Sequence, residues 1–229
     1  MSTSATLKQI YSFLLETYGP QHWWPADTPF EVMLGAVLTQ NTSWSGAEKA
    51  ITELRSLTAL NPLGITTLSN EEIEQAIRPS GYYRQKTDRI RTLCLYCLEK
   101  YEGDVEQMKT ASTDQLRKEL LSLSGIGPET ADSILLYAFG RPVFVVDAYT
   151  VRLCSRLGLC DGAAKYDIVQ STFMEGLKPD ATLYNEFHAL IVHHSKTHCR
   201  KTSPQCIDCV LLEHCKYGSI SVQKEGGEN

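Results

Sequence analysis

Cys199, Cys206, Cys209 and Cys215 lie within 17 residues, separated by six, two and five positions. Four soft thiolates on so short a stretch can surround one metal centre, which forces the chain around them into a compact loop. An all-sulfur set suits either a 4Fe-4S cluster or zinc. The string holds one Cys-x-x-Cys rather than two knuckle-like pairs, which favours iron and sulfur on spacing while leaving zinc open. His193, His194, His198 and His214 lie close by, but four cysteines already complete a tetrahedral set, so these histidines are expected at the surface or at helix ends. Cys94 and Cys97 fall in an apolar helical pattern with Leu93 and Leu98 and have no partner pair, which predicts small core residues.

Met1 to Ile10 has no basic stretch followed by an apolar run, and no segment approaches the roughly 18 apolar residues of a membrane span. The chain is therefore expected to be soluble and cytoplasmic, with no membrane partner. Eight cysteines in such a chain point to metal or thiol chemistry before a disulfide framework. With 229 residues, 42% of them apolar, the chain can build one large or two small domains and is not globally disordered.

Leu7, Ile10, Tyr11, Leu14, Leu15 and Tyr18 fall on one helical stripe, ended by Gly19-Pro20. Thr28-Pro29-Phe30-Glu31 predicts a capping box that starts a second helix. Residues 31–38, 47–57, 70–77, 85–100, 113–121 and 130–139 also read as helices, with Gly, Pro, Ser and Asn between them. Only Val143 to Val146 resembles a strand, and it equally suits an extended loop, so the predicted fold is all-α with no sheet. Lys216 to Asn229 has too little apolar side chain to pack, and a mobile tail is expected there.

Ser112 opens a short helix with one apolar face, Leu116, Leu120 and Leu121. Leu123-Ser124-Gly125-Ile126-Gly127-Pro128 then sets two glycines around one apolar residue, with a proline suited to the first turn of the next helix, which makes a helix-hairpin-helix. Glycines let such a turn approach a phosphate, and N–H groups at the helix start can cradle the anion without reading sequence. An ordinary helical corner accounts for the motif equally well. Asp147 follows four apolar residues, placed either to cap a helix from Ala148 or to face developing positive charge in a pocket, and its position does not choose.

Hairpin, following aspartate and terminal four-cysteine loop together resemble the endonuclease III family, within the helix-hairpin-helix superfamily of DNA glycosylases, from about Thr28 to Cys215. The cysteine spacing matches that family's 4Fe-4S signature without a gap, and Ser124-Gly125-Ile126-Gly127 followed by Val146-Asp147 matches its hairpin and catalytic-acid order. The resemblance implies a 4Fe-4S cofactor on Cys199, Cys206, Cys209 and Cys215, double-stranded damaged DNA as partner, a monomer, and association with the nucleoid in a prokaryote. It implies two helical domains with the DNA cleft and base pocket between them. Residues 28–140 would form a central domain, with the helix-hairpin-helix at about 113–140. Residues 1–27 and 141–215 would form an iron-sulfur domain, and 216–229 the flexible tail. Gly125, Ile126 and Gly127 would contact DNA, as would Lys196, Arg200 and Lys201 around the first cluster cysteine.

One departure from the family pattern carries chemistry. Bifunctional members place a lysine four residues after the first hairpin glycine, and here that residue is Glu129. A carboxylate cannot form an imine, so AP lyase activity is expected to be weak or absent. Asp147, 18 residues later, keeps the place of the catalytic acid, which implies a monofunctional N-glycosylase that leaves an abasic site. Ser124 replaces the usual proline before the first glycine, a change expected to matter little. Gly127 to Asp132, with Leu38-Thr39-Gln40-Asn41-Thr42 upstream, look most like the 3-methyladenine glycosylase branch. An alkylated purine is cationic and attracted to π faces and carboxylates. Trp24 and Trp44 are expected to sandwich it, Glu129 to favour its charge, and Gln40 to fill the gap left by the flipped nucleotide. Core packing for the tryptophans and a polar helix end for Gln40 are the ordinary readings.

The net charge of −5 disfavours tight non-specific DNA binding, so local basic patches must supply it. Arg84, Lys86, Arg89 and Arg91 predict one such patch, with a solvated helix as its ordinary reading, and Lys196, Arg200 and Lys201 predict another. Two alternatives stand beside the alkylpurine reading. One is an endonuclease III-like glycosylase and AP lyase acting on oxidised pyrimidines or mismatched bases; the other is a non-catalytic iron-sulfur DNA-binding protein.

Overall fold

The structure is a computed structural model that describes residues 3–226. Among these residues it contains twelve α-helices and no strand. They are α1 (Thr3–Tyr18), α2 (Pro29–Leu38), α3 (Trp44–Leu57), α4 (Pro62–Thr67), α5 (Asn70–Ile77), α6 (Tyr83–Tyr101), α7 (Thr113–Ser122), α8 (Pro128–Ser133), α9 (Ala148–Leu157), α10 (Tyr166–Gly176), α11 (Ala181–Thr197) and α12 (Lys216–Gly226). A π-helical turn, Ile134–Ala138, continues α8. Val143 to Val146, the strand-like segment, is a buried irregular stretch. The described residues form two compact units, one of Trp24–Arg141 and one that joins Thr3–Trp23 with Pro142–Gly226.

In the Trp24–Arg141 unit, α2 is the hub. Every residue from Phe30 to Leu38 is buried, as suits a helix apolar on all sides, and α3, α6, α8 and the π-helical turn pack around it. Thr28 caps α2 by accepting the Glu31 N–H at 3.2 Å. The predicted capping box is only half made, because the Glu31 carboxylate turns to the Asp27 N–H, at 3.0 Å, and to Arg55 of α3.

In the other unit, α1 presses Leu7, Ile10 and Leu14, each no more than 2% exposed, onto α10 and α11. Phe144 stacks on Phe173 with centroids 3.9 Å apart, and Tyr184 meets Phe144 edge-on, which fixes the segment leading to Asp147. Lys216–Gly226 is helical where composition predicted a mobile tail. Local anchoring replaces the missing apolar face: the Gly218 N–H donates to Cys215 Sγ at 3.3 Å, and the Arg156 guanidinium lies 4.6 Å from the Tyr217 ring centroid. Residues 227–229 of the expected tail lie outside the described residues.

Candidate functional site

The hairpin joins α7 to α8. Ser112 caps α7 by accepting the Gln115 N–H, Leu116 and Leu120 are buried beneath it, and Ile126 is buried between the two glycines. Gly125 has φ +81°, and the Arg89 side chain comes within 2.5 Å of where a Cβ would stand, so both conformation and space demand glycine. Gly127 is different. Its φ is −92°, nothing lies within 4 Å of a Cβ there, and the residue is exposed, so its smallness keeps a surface open. Arg117 of α7 clamps the wholly buried Asp132 carboxylate of α8 through two hydrogen bonds, Nε at 2.6 Å and Nη2 at 3.0 Å.

Gln40 lies against this turn. Its amide nitrogen donates to the Gly125 carbonyl at 3.1 Å and to Thr130 Oγ1 at 2.9 Å, and its amide oxygen accepts from Arg89. Arg89 is thus a positioning group for the hairpin that patch counting assigned elsewhere. The other members of the expected patch are dispersed as well. Lys86 is fully buried and donates to the carbonyls of Leu38 (2.8 Å) and Ser80 (2.6 Å). Burial, then the neighbouring Arg89, pushes its ammonium down to about 8. Arg91 donates to Asn70 Oδ1 and the Leu68 carbonyl, and Arg84, 80% exposed, has its Nε 3.8 Å from the Glu74 carboxylate. At roughly 100° per residue Arg84 and Arg91 fall on one side of α6 and Lys86 and Arg89 on the opposite side, so the four make no single basic face.

The tryptophans correct a second expectation. Trp24 and Trp44, both half-buried, meet edge to face with centroids 5.3 Å apart and planes at 87°, and Trp24 also touches Tyr137 of the π-helical turn at 5.2 Å. Perpendicular rings in contact leave no slot for a base between them; edge-to-face is the arrangement their quadrupoles favour. Tyr137 escaped sequence reading because Leu135-Leu136-Tyr137 looks like helix core. Glu129 stands exposed in the first turn of α8.

In the other unit Asp147 does cap α9. Its Oδ1 accepts the Thr150 N–H at 2.7 Å and the Thr150 hydroxyl at 2.9 Å, while Oδ2 lies 3.5 Å from His188 Nε2 of α11. Burial works against the charge, yet His188 and the Thr150 donors outweigh it and hold the carboxyl below the usual carboxylate range. Sequence reading missed His188, whose position in the apolar pattern of α11 gives no sign of a polar partner.

Two arginines on α9 reach the cysteine loop. Arg152 Nε donates to the Cys199 carbonyl at 2.8 Å, and Arg156 Nη1 to Cys199 Sγ at 3.1 Å. All four cysteines line one small cavity together with Leu153, Leu157 and Leu211. His194 lies in the last turn of α11, a helix end as expected, but is fully buried rather than at the surface, with Nε2 3.7 Å from Cys209 Sγ and Nδ1 2.9 Å from the Tyr18 hydroxyl. Burial, then His198 and His193, pushes its imidazole down to about 4. No group of three or more His, Cys, Asp or Glu side chains among the described residues converges on a single-ion position. Burial, reinforced by the other three cysteines, raises Cys209 to about 11, a cost that a bound cationic centre removes. Cys94 and Cys97 are fully buried core residues, as their pattern predicts. Lys196, Arg200 and Lys201 are exposed.

An all-α fold with a helix-hairpin-helix, a buried helix-capping carboxylate and a four-thiol loop defines a DNA glycosylase of the helix-hairpin-helix class. Residues 34–179 match the HhH-GPD superfamily base excision DNA repair protein family, and the chain belongs to that family, in its endonuclease III-like group. It is 46% identical over 209 residues to a candidate DNA repair glycosylase of Methanocaldococcus jannaschii, covering 90% of this chain and 94% of that one. An endonuclease III trapped as a covalent intermediate with DNA superposes with TM-score 0.84 at 28% identity, covering 97% of this chain and all of the other. H. pylori 3-methyladenine DNA glycosylase bound to 1,N6-ethenoadenine gives 0.73 at 31%, covering 86% and 98%. No helix among the described residues is long and apolar enough to cross a membrane.

Proposed function

We propose that this glycosylase is monofunctional, flipping an alkylated purine such as 3-methyladenine out of double-stranded DNA and leaving an abasic site. One observation carries the reading: Glu129 stands exposed in the first turn of α8, where the lyase chemistry needs an amine. Lys86 does not supply that amine, since two carbonyls and complete burial seal it. Asp147 is the reacting carboxylate. Held anionic, it stabilises positive charge developing on the sugar as the base leaves, and Oδ2 orients the attacking water while Oδ1 keeps the helix cap. A base already cationic leaves without strong general-acid help. The likeness to a glycosylase bound to an alkylated purine supports this substrate class.

The cysteine loop suits a 4Fe-4S cluster. The four thiols line one cavity, and Arg156, His194 and the Gly218 N–H face the sulfurs of Cys199, Cys209 and Cys215. A single tetrahedral zinc would require sulfurs about 4 Å apart around one point. Bound there, the cluster supplies a rigid anchor whose binding energy is folding energy for the loop.

The test is base release from duplexes carrying methylated purines, hypoxanthine, thymine glycol, uracil or mismatches, analysed with and without alkali. Release of a methylated purine, with strand breaks only after alkali and abolished in Asp147→Asn, is the expected result. The fuller overlap with endonuclease III favours a second reading, a glycosylase and AP lyase on oxidised pyrimidines or mismatched bases. Thymine glycol release with alkali-independent breaks would establish that reading instead.

A further inference from the structure

Asp147 offers its two oxygens to different partners. Oδ1 takes both Thr150 donors, and Oδ2 faces Nε2 of His188 at 3.5 Å. A helix cap needs one oxygen, so α9 is held without His188. The imidazole comes from the middle of α11, which packs on α9, and its ring lies edge-on to Phe144 at 6.3 Å, so the core sets its orientation. The His188 and Asp147 side chains are only 9% and 13% exposed, where a charged or polar contact is worth more than in water. From α10, the Tyr166 hydroxyl approaches the neighbouring Val146 N–H at 3.4 Å. Thr150 of α9 and His188 of α11 therefore face this carboxylate, while Tyr166 of α10 meets the backbone just before it.

We propose that His188 is a positioning residue for base release, holding Oδ2 of Asp147, the oxygen left free by the cap, in the orientation that chemistry needs. This rests on reading Asp147 as the reacting carboxylate. Misplacing a reacting group by about 1 Å can cost on the order of 100-fold in rate, whereas DNA binding does not depend on where Oδ2 points.

His188→Phe fills the ring's volume without an N–H, and His188→Gln restores a donor at similar reach. The measurements are the single-turnover rate of base release from a saturating methylated-purine duplex, the Kd for the same duplex, and the urea midpoint. His188→Phe is expected to slow release on the order of 10–100-fold with Kd unchanged, and His188→Gln to recover most of the loss. Equal slowing by both variants, or by neither, overturns the proposal. Should His188→Phe not fold, His188→Leu takes its place in the comparison. Carbon-13 NMR titration of the Asp147 carboxyl gives a readout independent of activity: its midpoint is expected to rise in His188→Gln, which lacks an ionisable partner, and an unchanged midpoint also overturns the proposal. If the wild-type protein releases no base while the NMR coupling is present, the glycosylase reading fails and takes the catalytic role of His188 with it. An active wild type indifferent to His188 fails this inference alone.

Discussion

The indole of Trp24 rests on the bare backbone of Gly35: a Cβ at that glycine would stand 2.8 Å from Trp24 Cζ2. Glycine inside α2 costs about 1 kcal/mol of helix propensity, and here it makes room for the ring that contacts both Trp44 and Tyr137. Gly35→Ala is expected to recover that propensity yet lose roughly 1–3 kcal/mol to overpacking, for a net loss on urea denaturation and a shifted tryptophan emission. A stabilised variant with unchanged emission would show that the indole has room to move.

Glu129 is exposed in the first turn of α8, so a longer cation there meets no packing obstacle. Glu129→Lys is expected to form a borohydride-trapped adduct with duplex carrying an abasic site and to nick it without alkali. The wild-type protein should give neither product above background. An adduct formed equally by the wild type means that another amine serves the reaction and that the carboxylate is no barrier to it.

Much of the fold was legible because it rests on short-range rules. Apolar periodicity marks α1, Thr28 and Pro29 start α2, and Gly125 announces the turn by a backbone angle that other residues avoid. The four cysteines stand close in sequence, so their meeting in one cavity needed no knowledge of the tertiary fold. Failures came wherever side-chain direction or distant pairing decides. Lys86 and Arg91 read as surface charge because sequence does not say which side of α6 faces inward. Trp24 and Trp44 were both singled out, but whether two rings lie parallel or perpendicular depends on Gly35 and Tyr137 as much as on themselves. His188 is 41 residues from Asp147, and its role depends on α9 packing against α11.

Cys206→Ser removes one of the four thiols around the cavity and leaves the other three in place. The variant is expected to bind less iron, to lose the broad visible absorption of thiolate-to-iron charge transfer, and to fall in soluble yield and Tm, because ligand binding stabilises the loop it folds. Unchanged iron per chain would remove Cys206 from the ligand set. Zinc in place of iron in a colourless wild-type protein would replace the cluster with a mononuclear site.

Glu119 ties α7 to α6. It accepts the Tyr96 hydroxyl at 2.7 Å, the Tyr101 hydroxyl at 3.0 Å and the Gln115 amide at 3.0 Å, and it pairs with Lys100. Burial alone would raise its carboxyl, but these donors, Lys100 foremost, overrule it and bring it down to about 2. A carboxyl depressed in the folded state contributes stability that is complete above its unfolded value, near 4.5, and is lost as pH falls toward 2. The wild-type protein is therefore expected to lose roughly 1–2 kcal/mol more than Glu119→Gln between pH 5 and pH 3, read from urea midpoints at the two pH values. At pH 5 the variant starts lower, since its amide satisfies the tyrosine hydroxyls but not Lys100, and the two curves should converge on acidification. Parallel curves would mean that the four donors hold the side chain in place without favouring its charge.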